Sequence, residues 1–238
     1  MSSNPDPAAE AKPSPVEAGT LYLVGTPIGN LGDITFRAAE VLGAVTVIAC
    51  EDTRHSLRLL DRIGVRAPLL SLHQHNEARR SQELIGRLKA GDSAAYISDA
   101  GMPSISDPGA RLVRACAAEG VPVCVIPGPS AVIAALAGAG FGGDTFFFGG
   151  FLPNKSGGRE REVLAALERK FPSAFFESPH RIAKTLAAIA AADPGRPVCV
   201  AREITKKFEE FYRGTAAEAA ARFAGGAKGE ITLVISGR

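Results

Sequence analysis

Four apolar runs in this 238-residue chain end in loops whose residues bind or react rather than pack. Ala94-Ala95-Tyr96-Ile97 runs into Ser98-Asp99-Ala100-Gly101-Met102-Pro103-Ser104-Ile105-Ser106-Asp107-Pro108-Gly109. Leu21-Tyr22-Leu23-Val24 runs into Gly25-Thr26-Pro27-Ile28-Gly29-Asn30, residues 45–50 into Glu51-Asp52-Thr53-Arg54, and residues 121–126 into Pro127-Gly128-Pro129-Ser130. An apolar run that stops at an acidic, Gly or Pro residue reads as a buried parallel strand opening into a ligand loop. In open α/β sheets ligands sit at the carboxyl ends of strands. The four loops therefore predict a single cleft.

The chemistry of that cleft is bounded by what the loops lack. No Gly-x-Gly-x-x-Gly turn follows the first strand and there is no Walker A sequence. Prolines in the loops remove amide donors that a phosphate nest needs. A rigid cleft of backbone groups and short side chains suits a neutral or zwitterionic ligand better than a triphosphate. His73-x-His75 has the look of a metal pair, but no nearby Cys or carboxylate cluster supplies a third ligand, so no metal is expected. Cys50 has no histidine base nearer than His55, which argues against a nucleophilic thiol.

The elements that must position these loops alternate along the chain. Helices are expected over residues 35–42 (capped by Asp33), 56–63, 77–90 (capped by Asn76), from Asp107-Pro108 to 118, and over 131–139 (capped by Ser130). Strand–helix units at this spacing predict a parallel sheet with right-handed crossovers. After Gly140-Phe141-Gly142-Gly143 the pattern changes. Strands are expected at 145–148, 174–176, 198–204, 209–212 and 231–235, with a hairpin around Thr205-Lys206-Lys207 that makes the second sheet mixed. The fold expected is thus α/β, with an N-terminal domain over residues 19–140 and a C-terminal domain over 141–238. Residues 1–18, rich in Pro, Ala, Ser and Glu, read as a disordered tail.

Composition narrows the setting. With 46% apolar residues the chain can bury a substantial core, and a net charge of +2 carries no global signature of a nucleic-acid coat protein. Four scattered cysteines read as reduced thiols of a cytoplasmic protein. No apolar run approaches a membrane span.

Six motifs, in order, resemble the tetrapyrrole-methylase-like family and, within it, the branch that modifies ribosomal RNA: Gly25 to Leu31, Glu51-Asp52-Thr53-Arg54, Ser98 to Gly109, Pro127-Gly128-Pro129-Ser130-Ala131, Glu177-Ser178-Pro179-His180-Arg181, and Arg202-Glu203-x-Thr205-Lys206. The resemblance covers residues 20–236; the chain ends at Ser236-Gly237-Arg238, where many members continue. It implies S-adenosylmethionine as cofactor in a cleft between two domains, a homodimer, and 2′-O-methylation of a cytidine in the decoding region of the 16S rRNA of the small ribosomal subunit. It implies no membrane or DNA partner. Carried onto this sequence, it places the cofactor against Pro27, Asp99, Gly101, Met102, Pro103, Ser106, Pro127, Ser130 and Ala131. Asp99 would accept from the methionine ammonium or a ribose hydroxyl, or else only cap local amides; Asp107 is read first as a helix cap.

Methyl transfer to a ribose hydroxyl requires groups that orient the 2′-oxygen and take its proton. Glu177, Glu203 and Lys206 stand at expected strand ends of the second domain and are the catalytic candidates, with Asp52 opposite. Arg54, Arg181 and Arg202 suit phosphate contacts. The loop Asn154-Lys155-Ser156-Gly157-Gly158-Arg159 is basic and glycine-rich, either a cover for RNA or a surface linker. A tetrapyrrole precursor as methyl acceptor, or a metabolite-binding regulator without catalysis, are the alternatives left open.

Overall fold

A computed structural model describes residues 16–238; the expected disordered tail lies outside them as far as residue 15. Packing divides the chain into two compact units. The first holds residues up to Gly25, Ile34–Asp99 and Asp107–Gly128; the second holds Thr26–Asp33, Ala100–Ser106 and Pro129–Arg238.

The first unit is built on strands β1 (Leu21–Val24), β2 (Val47–Cys50), β3 (Leu69–Ser71), β4 (Ala94–Ile97) and β5 (Val123–Ile126), in the order β3-β2-β4-β1-β5. All pairings are parallel, as the alternating strand and helix signals predict. Period-2 geometry explains why these strands are apolar throughout. Leu21, Leu23, Val47, Ala49, Ala94 and Tyr96 face helices α3 (Glu77–Lys89) and α4 (Ala110–Ala118). Tyr22, Val24, Ile48, Cys50, Ala95 and Ile97 face α1 (Phe36–Ala44) and α2 (Thr53–Arg62). From β2 the chain moves outward to β3, whereas from β4 it moves the other way to β5. The crevice beside diverging strands is where α/β sheets bind ligands.

Three helix caps differ from the expectation, each because a closer partner exists. Thr35, not Asp33, caps α1, its hydroxyl accepting from the Ala38 amide at 3.1 Å. Asn76 makes no cap; its Oδ1 accepts from the His73 amide at 2.9 Å and its amide donates to the Ser71 carbonyl at 3.2 Å. Asp107 does not cap α4, which begins at Ala110 behind a left-handed Gly109. There Glu77 Oε1 accepts from the Gly109 amide at 3.0 Å and the Arg111 amide at 3.2 Å. Helix α2 also starts earlier than expected, because Asp52 caps it at Thr53.

The second unit carries a mixed sheet, as expected: β6 (Phe147–Phe151), β7 (Ser173–Glu177), β8 (Pro197–Arg202), β9 (Glu210–Thr215) and β10 (Ile231–Ile235), ordered β6-β7-β10-β8-β9. Only the β6–β7 pair is parallel. Helices α6 (Ser156–Glu168), α7 (Ile182–Ala192) and α8 (Ala216–Arg222) cover one face. Helix α5 (Ala131–Ala139), expected in the first domain, packs Val132, Ala135 and Ala139 on Ala174, Cys199, Ala201 and Val234 of this sheet. Packing thus divides the chain before α5, at Gly128/Pro129, rather than at residue 140. Cys50, Cys116 and Cys199 are buried thiols, and Cys124 is partly buried. No helix among the described residues is long and apolar enough to cross a membrane.

Candidate active site

In the first unit the carboxyl ends of β2 and β4 bring acidic groups together. Glu51 and Asp52 follow β2, Asp99 follows β4, and the Asp52 amide donates to Asp99 Oδ1 at 3.2 Å. Asp52 Oδ1 also accepts from the amides of Arg54 at 2.8 Å and His55 at 3.4 Å. The hydrogen bond from the Arg54 side chain, with these amide hydrogen bonds, holds the half-buried Asp52 below its ordinary pKa. Glu51 is raised, first by burial and then by the charge of Asp99, against the lowering influence of His73. Asp107 is pushed up to about 6 by burial and by the charges of Glu51 and Asp99, partly offset by a hydrogen bond with Ser98. Burial, together with repulsion among neighbouring carboxylates, raises both Glu51 and Asp107.

The shift at Asp107 has a measurable consequence. Its folded pKa lies above the ordinary value of 3.8, so the folded state binds the proton more tightly and stability falls as pH rises from about 4 to about 6. Since Asp107 caps no helix, Asp107→Asn should be more stable than wild type at pH 7, by about 1–2 kcal/mol given its partial contact with water. The advantage should vanish near pH 4. Urea unfolding at several pH values checks this; an equal loss at every pH would show that the carboxylate has a structural task.

The loops after β1 and β5 meet closely. The Gly25 amide donates to the Ile126 carbonyl at 3.1 Å, and a Cβ on Gly128 would lie 2.7 Å from the Gly25 Cα. Pro127 precedes this contact and is exposed.

The second unit holds the remaining expected cofactor residues. Thr26 and Gly101 exchange backbone hydrogen bonds of 2.9 and 3.1 Å, which fixes the segments carrying Pro27 and Met102 to each other. Pro27, Gly101 and Pro103 are buried, and Met102 is partly so. Ser104 and Ser106 both have left-handed backbones, at φ 71° and 62°. Such conformations cost non-glycine residues energy and concentrate at ligand-binding turns. Ser130 caps α5 by accepting from the Ile133 amide at 3.4 Å, and Ala131 opens that helix.

The catalytic candidates are held in two networks. Glu177 is completely enclosed: its carboxylate accepts from the Ser178 amide at 2.7 Å, from Arg181 at 2.8–2.9 Å and from the Thr185 hydroxyl at 2.5 Å. That arrangement anchors α7 to the end of β7 and leaves no oxygen for a proton from solvent or substrate. Glu203 and Lys206 lie on the β8–β9 hairpin loop, where Glu203 and Thr205 have positive φ. Lys206 Nζ donates to Glu203 at 3.1 Å and to Glu230 at 2.7 Å. Desolvation pulls the Lys206 ammonium down, but the hydrogen bonds and charges of Glu230 and Glu203 outweigh it and raise its pKa. Glu203 is lowered, chiefly by the Glu230 amide. The Lys206 stem lies over Gly29, where a Cβ would meet its Cε at 2.4 Å, and Thr205 donates to Asp33. The hairpin loop is thus buttoned to the segment after β1.

The three arginines expected at phosphate divide sharply. Arg54 is 89% exposed beside Asp52. Arg202 is committed to Glu210 at 3.0 Å and to the Lys228 carbonyl at 3.2 Å, and Arg181 to Glu177. Sequence reasoning missed the supporting roles of Glu77, Asp33 and Glu230, which hold loops from 24 to 172 residues away, and of Thr185, which holds Glu177 from the helix that follows β7.

Comparison with known proteins agrees with this frame. The chain belongs to the tetrapyrrole (corrin/porphyrin) methylase family, which it matches over residues 20–220. Within that family it falls with the ribosomal RNA small subunit methyltransferases I. It is 46% identical to that of Micromonospora olivasterospora over 92% of this chain and 71% of the relative, and 46% identical to that of Thermotoga maritima over 92% and 99%. Among solved structures, methyltransferase CobJ matches with a TM-score of 0.70 at 21% identity, covering 92% of this chain and 94% of that one. Uroporphyrin-III C-methyl transferase from Thermus thermophilus, solved complexed with S-adenyl homocysteine, matches at 0.64 and 17%, covering 91% and 97%. These two likenesses concern the fold.

Proposed function

We propose that this chain is a methyltransferase that uses S-adenosylmethionine to methylate small-subunit rRNA, and that the methyl acceptor is the ribose 2′-oxygen of a cytidine in the decoding region of 16S rRNA. The observation that carries the cofactor reading is the group of carboxylates Glu51, Asp52, Asp99 and Asp107 at the carboxyl ends of β2 and β4. S-adenosylmethionine carries a sulfonium and an α-ammonium, the charges that such a group attracts, whereas a nucleotide triphosphate would be repelled. The acceptor reading rests on relationship: 46% identity to two ribosomal RNA small subunit methyltransferases I, against 17% to the uroporphyrin-III C-methyl transferase and 21% to the methyltransferase CobJ. A homodimer acting in the cytoplasm, where ribosomes are assembled, belongs to the same proposal.

Bound S-adenosylmethionine supplies an electrophilic methyl group. Asp99 accepts from its ammonium or ribose hydroxyls, with Pro27, Gly101, Met102, Pro103, Ser106, Pro127, Ser130 and Ala131 shaping the surface against it. Glu203 and the charged Lys206 are the groups we assign to the acceptor hydroxyl, the ammonium as donor and the carboxylate as acceptor. Arg54, exposed at the start of α2, is the phosphate contact.

Labelled S-adenosylmethionine and small subunits from a strain lacking the enzyme test the reading. Alkali spares the phosphodiester next to a 2′-O-methyl, so label should appear in an alkali-resistant dinucleotide. Label in a mononucleotide would mean base methylation and end the ribose assignment; no transfer at all would end the rRNA reading. Asp99→Asn should weaken S-adenosylmethionine binding roughly tenfold in calorimetry, the worth of one charge-assisted hydrogen bond. Unchanged affinity would remove Asp99 from the site.

A further inference from the structure

Helix α2 carries three arginines in a single outward row. Ser56, Leu59 and Leu60 are its buried residues, and the side away from them carries Arg54, Arg58 and Arg62, all exposed. Spaced four residues apart, the three follow one another along the helix at intervals of about 6 Å. Asp61 is the one acid within the helix, in a chain whose whole net charge is only +2. Arg54 leans on Asp52 at 3.3 Å. Among the described residues the Arg58 and Arg62 side chains have neither an ion pair nor a hydrogen bond, so Asp61 neutralises neither.

Stability supplies no reason for this row. Like charges four residues apart on a helix repel, and Arg58 stands between two of its own sign. Arg62 gains from the helix dipole because it lies in the last turn; Arg58, in the middle, does not. A row of cations that raises the energy of the free protein becomes favourable once a polyanion lies across it. The helix begins just past the end of β2, capped by Asp52, so the row starts at the carboxylate group and leads away from it along the surface of the first unit. Leu60 packs with Ile48 and Cys50 of β2, which leaves α2 no apolar face to lay into a membrane.

We propose that α2 is a track for the RNA strand flanking the acceptor nucleotide, whose successive phosphodiesters pass Arg54, Arg58 and Arg62. A guanidinium fork suits a phosphate, and the interval along the helix is close to the spacing of neighbouring phosphates on an extended strand. The track binds charge and positions RNA without reading its sequence. It rests on the rRNA reading for the identity of its ligand, and extends the contact from Arg54 to two residues that reading leaves unused.

Arg58→Gln separates this role from folding. The position is exposed, glutamine is nearly as good a helix former, and two like-charge pairs are relieved, so the melting temperature should hold or rise. Affinity for a single-stranded oligocytidylate should nevertheless fall about fivefold at 0.1 M salt, with the slope of log affinity against log salt reduced by roughly 0.7. Arg58→Gln with Arg62→Gln should lose about 25-fold and roughly 1.4 of slope. Affinity for small subunits should fall in the same order. The control is Arg114→Gln, an equally exposed arginine of α4 on the opposite face of the sheet, which should bind both RNAs as wild type does. If wild type methylates small subunits and the Arg58 and Arg62 variants keep its affinity and salt slope, the track is overturned and the rRNA reading stands. An equal loss in Arg114→Gln would reduce the row to diffuse surface charge and overturn it. Weakened binding to small subunits with unchanged binding to oligocytidylate would point to an acidic protein surface and overturn the RNA assignment. Wild type that neither binds nor methylates small subunits would end the rRNA reading and the track with it.

Discussion

Glu177→Ala is expected to cost about 3–5 kcal/mol of stability, the usual cost of leaving one member of a buried ion pair behind. The side chain is fully enclosed, and its removal strips acceptors from the Ser178 amide, from the Thr185 hydroxyl, which is itself buried, and from the Arg181 guanidinium. Glu177→Gln keeps the shape but loses the charge. It also turns an NH2 group toward donors, so it should still lose about 1.5–3 kcal/mol. Urea unfolding of the two variants measures this directly. A catalytic Glu177 would behave differently: the glutamine variant would unfold like wild type and lose kcat. The structural assignment predicts the reverse, with activity per folded molecule largely retained in Glu177→Gln at low temperature. Thr185→Val, which removes only the 2.5 Å donor, should fall between wild type and Glu177→Gln.

The same comparison shows what the sequence could disclose. Strands β1, β2 and β4 were legible because sheets covered on both faces need unbroken apolar runs, and the loops after them because Asp, Gly and Pro interrupt those runs abruptly. Strand β3 was not, since Leu69-Leu70-Ser71 is only three residues long and follows Pro68. The assignment of α5 to a sheet was equally hidden. Its residues, Ala-Val-Ile-Ala-Ala-Leu-Ala-Gly-Ala, are apolar all round, so no stripe tells which sheet receives it. Acidic loop residues could be listed from the sequence, but their tasks could not be sorted. Glu77 caps a helix 32 residues away, Glu230 holds Lys206 from 24 residues away, and Asp33 accepts from Thr205 across 172. Asp107, which has the local look of a cap, is instead a strained carboxylate, because Glu77 already satisfies the α4 amides. Local rules gave way wherever a tertiary partner had better geometry.

Gly128→Ala is expected to lose S-adenosylmethionine binding by tenfold or more and to destabilise the protein by about 1–3 kcal/mol, the range for overpacking a close contact. The added methyl would lie 2.7 Å from the Gly25 Cα and 2.8 Å from its carbonyl carbon and oxygen. These are backbone atoms, and no rotamer change relieves them. Gly25 is fixed in turn by its amide bond to Ile126 and by the pairing of β1 with β5, so one of the two loops must shift at the sheet end. Both loops carry residues that we assign to the cofactor, Pro27 after β1 and Pro127 and Ser130 after β5. A displacement of about 1 Å is enough to spoil a preorganised site. The comparison variant is Gly86→Ala, on an exposed position of α3 where a Cβ meets nothing within 4 Å. It should gain about 0.5–1 kcal/mol from helix propensity and leave cofactor binding untouched. Calorimetric titration with S-adenosylmethionine, read beside urea unfolding, separates the two effects. If Gly128→Ala binds the cofactor as wild type does, the loops after β1 and β5 do not shape its site, however much stability the variant loses.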